Sequence, residues 1–382
     1  MSAARFDAQN PVKIKHPEWS KNATIYQINI RHFSKKGTLA AAQTHLTRLQ
    51  ELEVDIVWLM PINKIGKKNK KGTLGSPYAV QDYYSVNPEF GDINSLKNFV
   101  VAAHKLGLKV ILDWVANHTA WDSVLMQEHP EWFLKDWNGE YRSTPWHDWE
   151  DIVELNYHIP ELREYMLNAM QYWVREVGVD GFRCDVAGFV PTDFWNMVRS
   201  ELDKIKPVFM LAEWEDRDLH EKAFDMTYGW RWNETMHRIA SGSANVNDLC
   251  VYYACNEKAF PKDSMRMLFV SNHDKNAWEG TEYEQFGDAL DATIVLSVIS
   301  EGMPMIYNGQ EAGNKKRLAF FGKDLIEWQE HRYTDFYRDL FFLKKKNTAL
   351  WNAHWGARMI KVGNDCPQEV FSFVRQNSKD KV

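Results

Sequence analysis

The sequence predicts a (β/α)8 TIM barrel with an inserted subdomain after its third strand and a partial β region at its C-terminal end. Eight short apolar runs alternate with amphipathic helical stretches, the order expected of a parallel sheet. The runs are apolar on both faces, as strands covered on both sides must be. No G-x-G-x-x-G follows the first run, which removes the strongest support for a doubly wound open sheet. With 382 residues and 45% hydrophobic content, the chain can fill the core of one large domain with attachments.

The strands are expected at TIYQINI (24–30), VDIVWLM (54–60), LKVILDW (108–114) and VDGFRCD (179–185). They continue with PVFMLAE (207–213), AFDMTY (223–228), MLFVSN (267–272) and GMPMIYN (302–308). After the first strand, Leu39, Leu46, Leu49 and Leu52 share one helical side. Asn94 is expected to cap a helix whose apolar face is Leu96, Phe99, Val100, Ala103 and Leu106. Pro160 opens another, with Leu162, Tyr165, Met166 and Trp173, and Pro191 starts a fourth. The last covers 334–343.

The catalytic barrel thus takes residues 1–116 and 160–348. The stretch 117–159 between them is about forty residues long, against the two to six usual for such a connection. It holds Trp121, Trp132, Trp137, Trp146 and Trp149 and is expected to be an inserted subdomain over the barrel mouth. Beyond residue 349, GARMIKVG and EVFSFVRQ read as antiparallel strands with a turn at 363–365. A lone hairpin is marginally stable, so this tail either packs on the barrel or begins a β domain cut short; 349–382 is assigned to the second.

Composition narrows the function. A formal charge of −6 without a strongly basic face argues against a nucleic-acid partner. The one basic run, KIGKKNKK (64–71), reads as a solvated loop rather than an anion site. No long apolar run offers a membrane span. Residues 1–21 are polar, with no leader pattern. Cys184, Cys250, Cys255 and Cys366 show no metal-type spacing and read as reduced thiols. Together these point to a cytoplasmic protein; a trimmed leader would instead make it periplasmic or secreted. Aromatic residues make up 14% of the chain, including 17 Trp, and such rings stack well on the C–H faces of sugars.

The carboxylates carry the chemistry. Barrel enzymes place reacting groups at the C-terminal ends of their strands. Asp113 ends the third expected strand, Asp185 the fourth and Glu213 the fifth, while Asp274 follows the seventh. Asn117, His118, Arg183 and His273 arrive with them. Residues i and i+2 of a strand face the same way, so Arg183 should hold Asp185 ionised, as a nucleophile requires. Glu213, among apolar and Trp neighbours, should have a raised pKa and act as an acid; Glu215 is the alternative. Adjacent strand ends would set the two carboxyls roughly 5 Å apart, the spacing of retaining rather than inverting glycosidases. Taken singly, Arg183–Asp185 could equally be a structural ion pair. No His spacing supports a metal at His118, Asp113 and Asp274.

These segments resemble the α-amylase family, glycoside hydrolase family 13. DWVANH (113–118), GFRCD (181–185), LAEW (211–214) and FVSNHD (269–274) are similar to its four conserved regions. GMPMIYNGQE (302–311), SPYAVQDYYSVNPEFG (76–91) and VELNYHIPELREYM (153–166) match further segments, all in family order. The resemblance implies a hydrolase of α-1,4-linked glucans or maltooligosaccharides. Asp185 would be its nucleophile, Glu213 its general acid/base and Asp274 the carboxylate that distorts the sugar. It also implies sugar contacts from Tyr78, His118, Arg183, Trp214 and His273, with Asp113 in support. No cofactor is implied for the chemistry; a structural calcium ion is implied at Asn117 and Glu154. An oligo- or polysaccharide is the implied partner, and the oligomeric state is left open. Asp185 is followed by Val186, Ala187, Gly188 and Phe189, not by the Lys-His pair of many α-amylases, and DVAGF is nearer the cyclomaltodextrinase pattern. A glucanotransferase or a sucrose- or trehalose-processing enzyme would use the same intermediate. A non-catalytic glycan-binding member would have lost one of the three acids.

Overall fold

The computed structural model describes residues 12–382. Most of the polar stretch inspected for a leader lies outside the described residues. Eight parallel strands close into a barrel: β1 (Ile25–Ile28), β2 (Ile56–Leu59), β3 (Lys109–Trp114), β4 (Gly181–Cys184), β5 (Phe209–Ala212), β6 (Met226–Tyr228), β7 (Met265–Phe269) and β8 (Met303–Tyr307). Each lies within an expected apolar run except β7, which begins two residues before its run. Each strand pairs with its sequence neighbours in the barrel, and β8 returns to β1 with Ile25 opposite Met305.

Period-2 alternation sorts the side chains. Ile25, Ile56, Trp58, Ile111, Phe209 and Leu211 fill the barrel interior with Met226, Met267 and Met303. Their strand neighbours Tyr26, Val57, Leu59, Val110 and Met210 point outward into the layer under the helices. Both faces are therefore dry, which is why the runs read as continuously apolar.

Helical caps follow local chemistry, with one correction. The helix Ile93–Lys105 is capped by Asp92, not Asn94. Asp92 accepts from the Ser95 amide at 2.8 Å, and Ser95 answers in a capping box. The Leu39–Leu52 stretch is two short helices, Leu39–Gln43 and Leu46–Glu51, rather than one. Pro160 and Pro191 stand at helix starts, as expected.

Two ribbons rise above the mouth. His118–Ala120 pairs antiparallel with Ile152–Glu154, and Lys64–Ile65 pairs with Val80–Asp82. The tail forms a hairpin, Met359–Lys361 against Phe373–Arg375. Arg375 ties it to the barrel by donating to the Ser300 carbonyl at 2.7 Å and the Ala357 carbonyl at 2.9 Å. Among the described residues no helix is long and apolar enough to cross a membrane.

Candidate active site

The ends of β3, β4 and β5 lie in register: Asp113 is opposite Arg183, and Cys184 is opposite Ala212. Asp185 and Glu213 are thus the next residues on adjacent strands. The Asp185 amide donates to the Trp114 carbonyl at 2.9 Å, and the Glu213 amide to the Cys184 carbonyl at 3.0 Å.

One guanidinium organises the acids. Arg183 is fully buried. Its Nη1 lies 2.8 Å from Asp113 and 2.7 Å from Asp185, and its Nη2 lies 2.7 Å from Glu213. Its Nε donates to the Tyr228 hydroxyl at 3.1 Å. The rings of Trp58, Tyr78 and Tyr228 surround it at 5.2, 5.6 and 5.7 Å, so little water reaches the charge.

Three carboxyls sharing one cation cannot all be held strongly ionised. Burial pushes Asp185 up to about 7 and Asp113 up to about 7, with Arg183 pulling each back only in part. Arg183, expected to hold Asp185 ionised, does pull in that direction, but burial outweighs it. Burial pushes Glu213 further, to about 8, with the nearby charges of Asp185 and Asp274 adding to the rise. A carboxyl raised in this way is suited to hold a proton and deliver it as a general acid, the role open to Glu213.

The backbone after Asp185 bends to serve Glu213. Val186 adopts a left-handed conformation (φ 36°, ψ 48°), unusual for a β-branched residue. Its amide thereby donates to Glu213 Oε2 at 2.8 Å. Strain of this kind persists only where the surroundings enforce it.

A hydrogen-bonded chain fixes the far wall. The Gln27 amide reaches His273 Nδ1 at 2.8 Å, which assigns the proton to Nε2. His273 Nε2 lies 2.7 Å from the Tyr78 hydroxyl, which in turn donates to Asp113 at 3.2 Å. Burial lowers both His273 and His118 to about 4, so both rings are neutral near pH 7.

The acids open into a cavity of about 550 Å³. Asp185, Glu213, Asp274, Tyr78, His118 and His273 line it, together with Trp149, Trp278, Phe320 and Phe321. A concave site combining aromatic walls, buried acids and neutral imidazoles is built for a neutral, ring-shaped, hydroxyl-rich ligand.

Residues 3–349 match the family model described as the alpha amylase catalytic domain. The chain belongs to the α-amylase family. Among curated relatives, the alpha-amylase MalA of Haloarcula japonica is 26% identical over 351 residues, covering 87% of this chain. The chain spans only 50% of that relative's length. A cyclomaltodextrinase from a Bacillus species is 25% identical, covering 97% of this chain and 75% of its own. Among solved structures, a maltogenic alpha-amylase, AmyB, from Thermotoga neapolitana superposes with a TM-score of 0.87 at 34% identity. That match covers 94% of this chain and 84% of the other. An alpha-amylase from Lactobacillus plantarum gives 0.86 at 31% identity, covering 95% and 87%.

Not every residue expected at the sugar faces this amylase-family cavity. Arg183 lies beneath the carboxyls, buried and outside the cavity lining. Trp214 packs on Phe189 with ring centroids 5.0 Å apart and does not line the cavity. Glu215, the alternative acid, is paired with Arg266 and Arg231 and is likewise absent from the lining.

The calcium expectation also needs correction. Glu154 lies 3.0 Å from the Arg142 guanidinium, and the Asn117 amide donates to Thr144 Oγ1 at 3.0 Å. Calcium needs six to eight oxygens converging on a site free of other cations. A guanidinium already neutralises Glu154, so these residues do not fit the ion.

Of the lining residues, Trp149 belongs to the insert expected over the mouth and Lys71 to the run read as a solvated loop, while Asp148, Asp151, Trp278, Phe320 and Phe321 are not singled out by the sequence. A Phe-Phe pair inside the polar stretch KKRLAFFGK was the available signal, since such rings in a loop need a partner.

Proposed function

We propose that this protein hydrolyses α-1,4-glucosidic bonds in maltooligosaccharides and related glucans with retention, through a covalent glycosyl-enzyme. One observation carries this: Asp185 and Glu213 extend from register-aligned strand ends, share the Arg183 guanidinium and open into one aromatic-walled cavity. The names of the amylases and cyclomaltodextrinase reported above support the substrate class.

In the first half-reaction Glu213 donates its proton to the glycosidic oxygen while an Asp185 carboxylate oxygen attacks the anomeric carbon. The C–O bond to the leaving sugar breaks and an ester to Asp185 forms. Glu213, now ionised, takes a proton from water in the second half, and hydroxide displaces Asp185. Burial that raises Glu213 favours the first step, and Val186 N–H together with Arg183 stabilises the ionised form for the second. Neutral His118 and His273 line the cavity beside the sugar, and Asp274 faces the ring where positive charge develops.

The test is a chromatographic product profile on soluble starch, maltoheptaose, cyclodextrin, pullulan, trehalose and sucrose, with Asp185→Asn as the blank. Short maltooligosaccharides from maltoheptaose or starch, absent from the blank, are expected. Products confined to trehalose or sucrose would replace the substrate, and an active Asp185→Asn would remove the nucleophile.

A further inference from the structure

The basic run at 64–71 has a place in the fold that its solvated appearance does not suggest. It begins the connection between Lys64–Ile65 and Val80–Asp82, which crosses the mouth and is pinned at both ends. On one side, the Lys67 amide donates to the Asp122 carboxylate at 3.0 Å. The Lys71 ammonium donates to the Asp148 carbonyl and lies 3.5 Å from its carboxylate and 4.0 Å from Asp151. On the other, the Leu74 amide donates to the Phe321 carbonyl at 3.0 Å. Gly72, at φ +61°, approaches so closely that a Cβ there would sit 2.5 Å from Phe321 Cβ. Residues from all three segments (Lys71, Asp148 and Phe321) line the cavity.

We infer that residues 66–75 form a strap that walls off the non-reducing end of the cleft, so that glucans are attacked from a chain end. This rests on the hydrolase function proposed above. The sugar undergoing attack is held by Tyr78, His118 and His273, with Tyr78 on the same connection as the strap. Glu213 and the strained Val186 stand on the leaving-group side. The chain beyond the held sugar therefore runs toward Lys71 and Phe321 and meets a wall. At interior packing density a hexose unit fills roughly 180 Å³, so the cavity of about 550 Å³ takes about three units in all. Each ion pair is partly exposed and contributes little stability alone. Its effect is geometric, as a bar across the cleft.

The experiment compares free maltoheptaose with maltoheptaose whose terminal 4- and 6-hydroxyls are capped by an ethylidene group. Consumption of each is followed by chromatography with Asp185→Asn as blank. The wild-type protein should consume the capped sugar at least 20-fold more slowly. Replacing residues 67–72 by Gly-Ser-Gly, or the single change Lys71→Glu, should raise the capped-to-free ratio at least tenfold. The ratio is internal and does not depend on how much variant is folded. Equal wild-type rates, or a ratio unmoved by the shortened strap, would overturn the strap while leaving the hydrolase intact. Consumption of neither sugar would overturn both.

Discussion

Glu213→Gln tests the electrostatics of the site most directly, because it removes a titrating charge and almost no volume. A carboxyl raised from 4.5 to about 8 in the folded state keeps its proton over a range where the unfolded chain has lost it. The folded state therefore binds more protons between those values, and stability falls as pH rises through the window. The contribution is full below pH 4.5 and gone above about 8. At about 1.4 kcal/mol for each pH unit, the loss is on the order of 5 kcal/mol above pH 8. Gln cannot ionise, yet its carbonyl can still accept from the Val186 amide. The variant should match wild-type Tm at pH 4.5–5 and exceed it at pH 9 by roughly 5–10 °C, at about 2 °C per kcal/mol for a chain this long. Differential scanning calorimetry across pH reads this directly. Parallel Tm curves for the two proteins would refute the account of Glu213 as a buried, proton-holding acid. Turnover of maltoheptaose should drop by roughly 10²–10⁴-fold in the same variant and recover partly on glycosyl fluorides, which need no protonation.

Val186→Gly relieves the left-handed strain, worth roughly 1–2 kcal/mol, against roughly 0.5–1 kcal/mol of added chain entropy. A Tm rise of up to about 2 °C with a fall in kcat is expected, and unchanged kcat would show that the Val186 amide does not position Glu213. Gly181→Ala places a methyl 1.9 Å from the Phe209 carbonyl at φ +154° in the middle of the barrel. It should leave no soluble folded protein, as judged by circular dichroism and gel filtration. Chelator dialysis should move Tm by less than about 1 °C, since only an ion bound to the folded chain adds stability that its removal can take away. A drop of several degrees would return a calcium ion to the fold. The pH–rate profile should be bell-shaped, with both limbs above the ordinary carboxylate range because burial raises Asp185 and Glu213 together.

The barrel was legible because its signal is local. Each strand is a dry run, and β4 and β5 are followed at once by Asp185 and Glu213, so even Asp274, five residues past Phe269 on β7, could be placed at the mouth. Asp185 and Glu213 could be paired because register follows from strand order. What stayed hidden depends on contacts between distant segments. Nothing around Arg183 announces that Asp113, seventy residues earlier, competes with Asp185 for the same cation. Arg142, which neutralises Glu154, and Phe321, which anchors the strap, lie in loops without periodicity. Asp92 was displaced by Asn94 as the expected cap because both are good caps. Only the Ser95 side chain, answering Asp92, decides between them.

The seam between β1 and β8 sets when this molecule can become itself. Met305 follows Ile25 by 280 residues, and the two pair only once the last strand exists. At roughly 5–20 residues per second, a nascent chain waits on the order of 15–60 s between making one edge of the seam and the other. Gln27, which sets the proton on His273, stands on that first edge. During synthesis the β1 edge is an unpaired, apolar strand, the kind of surface chaperones cover. The His273 tautomer is therefore among the last features of the site to be fixed, settled only when the ring of strands locks shut.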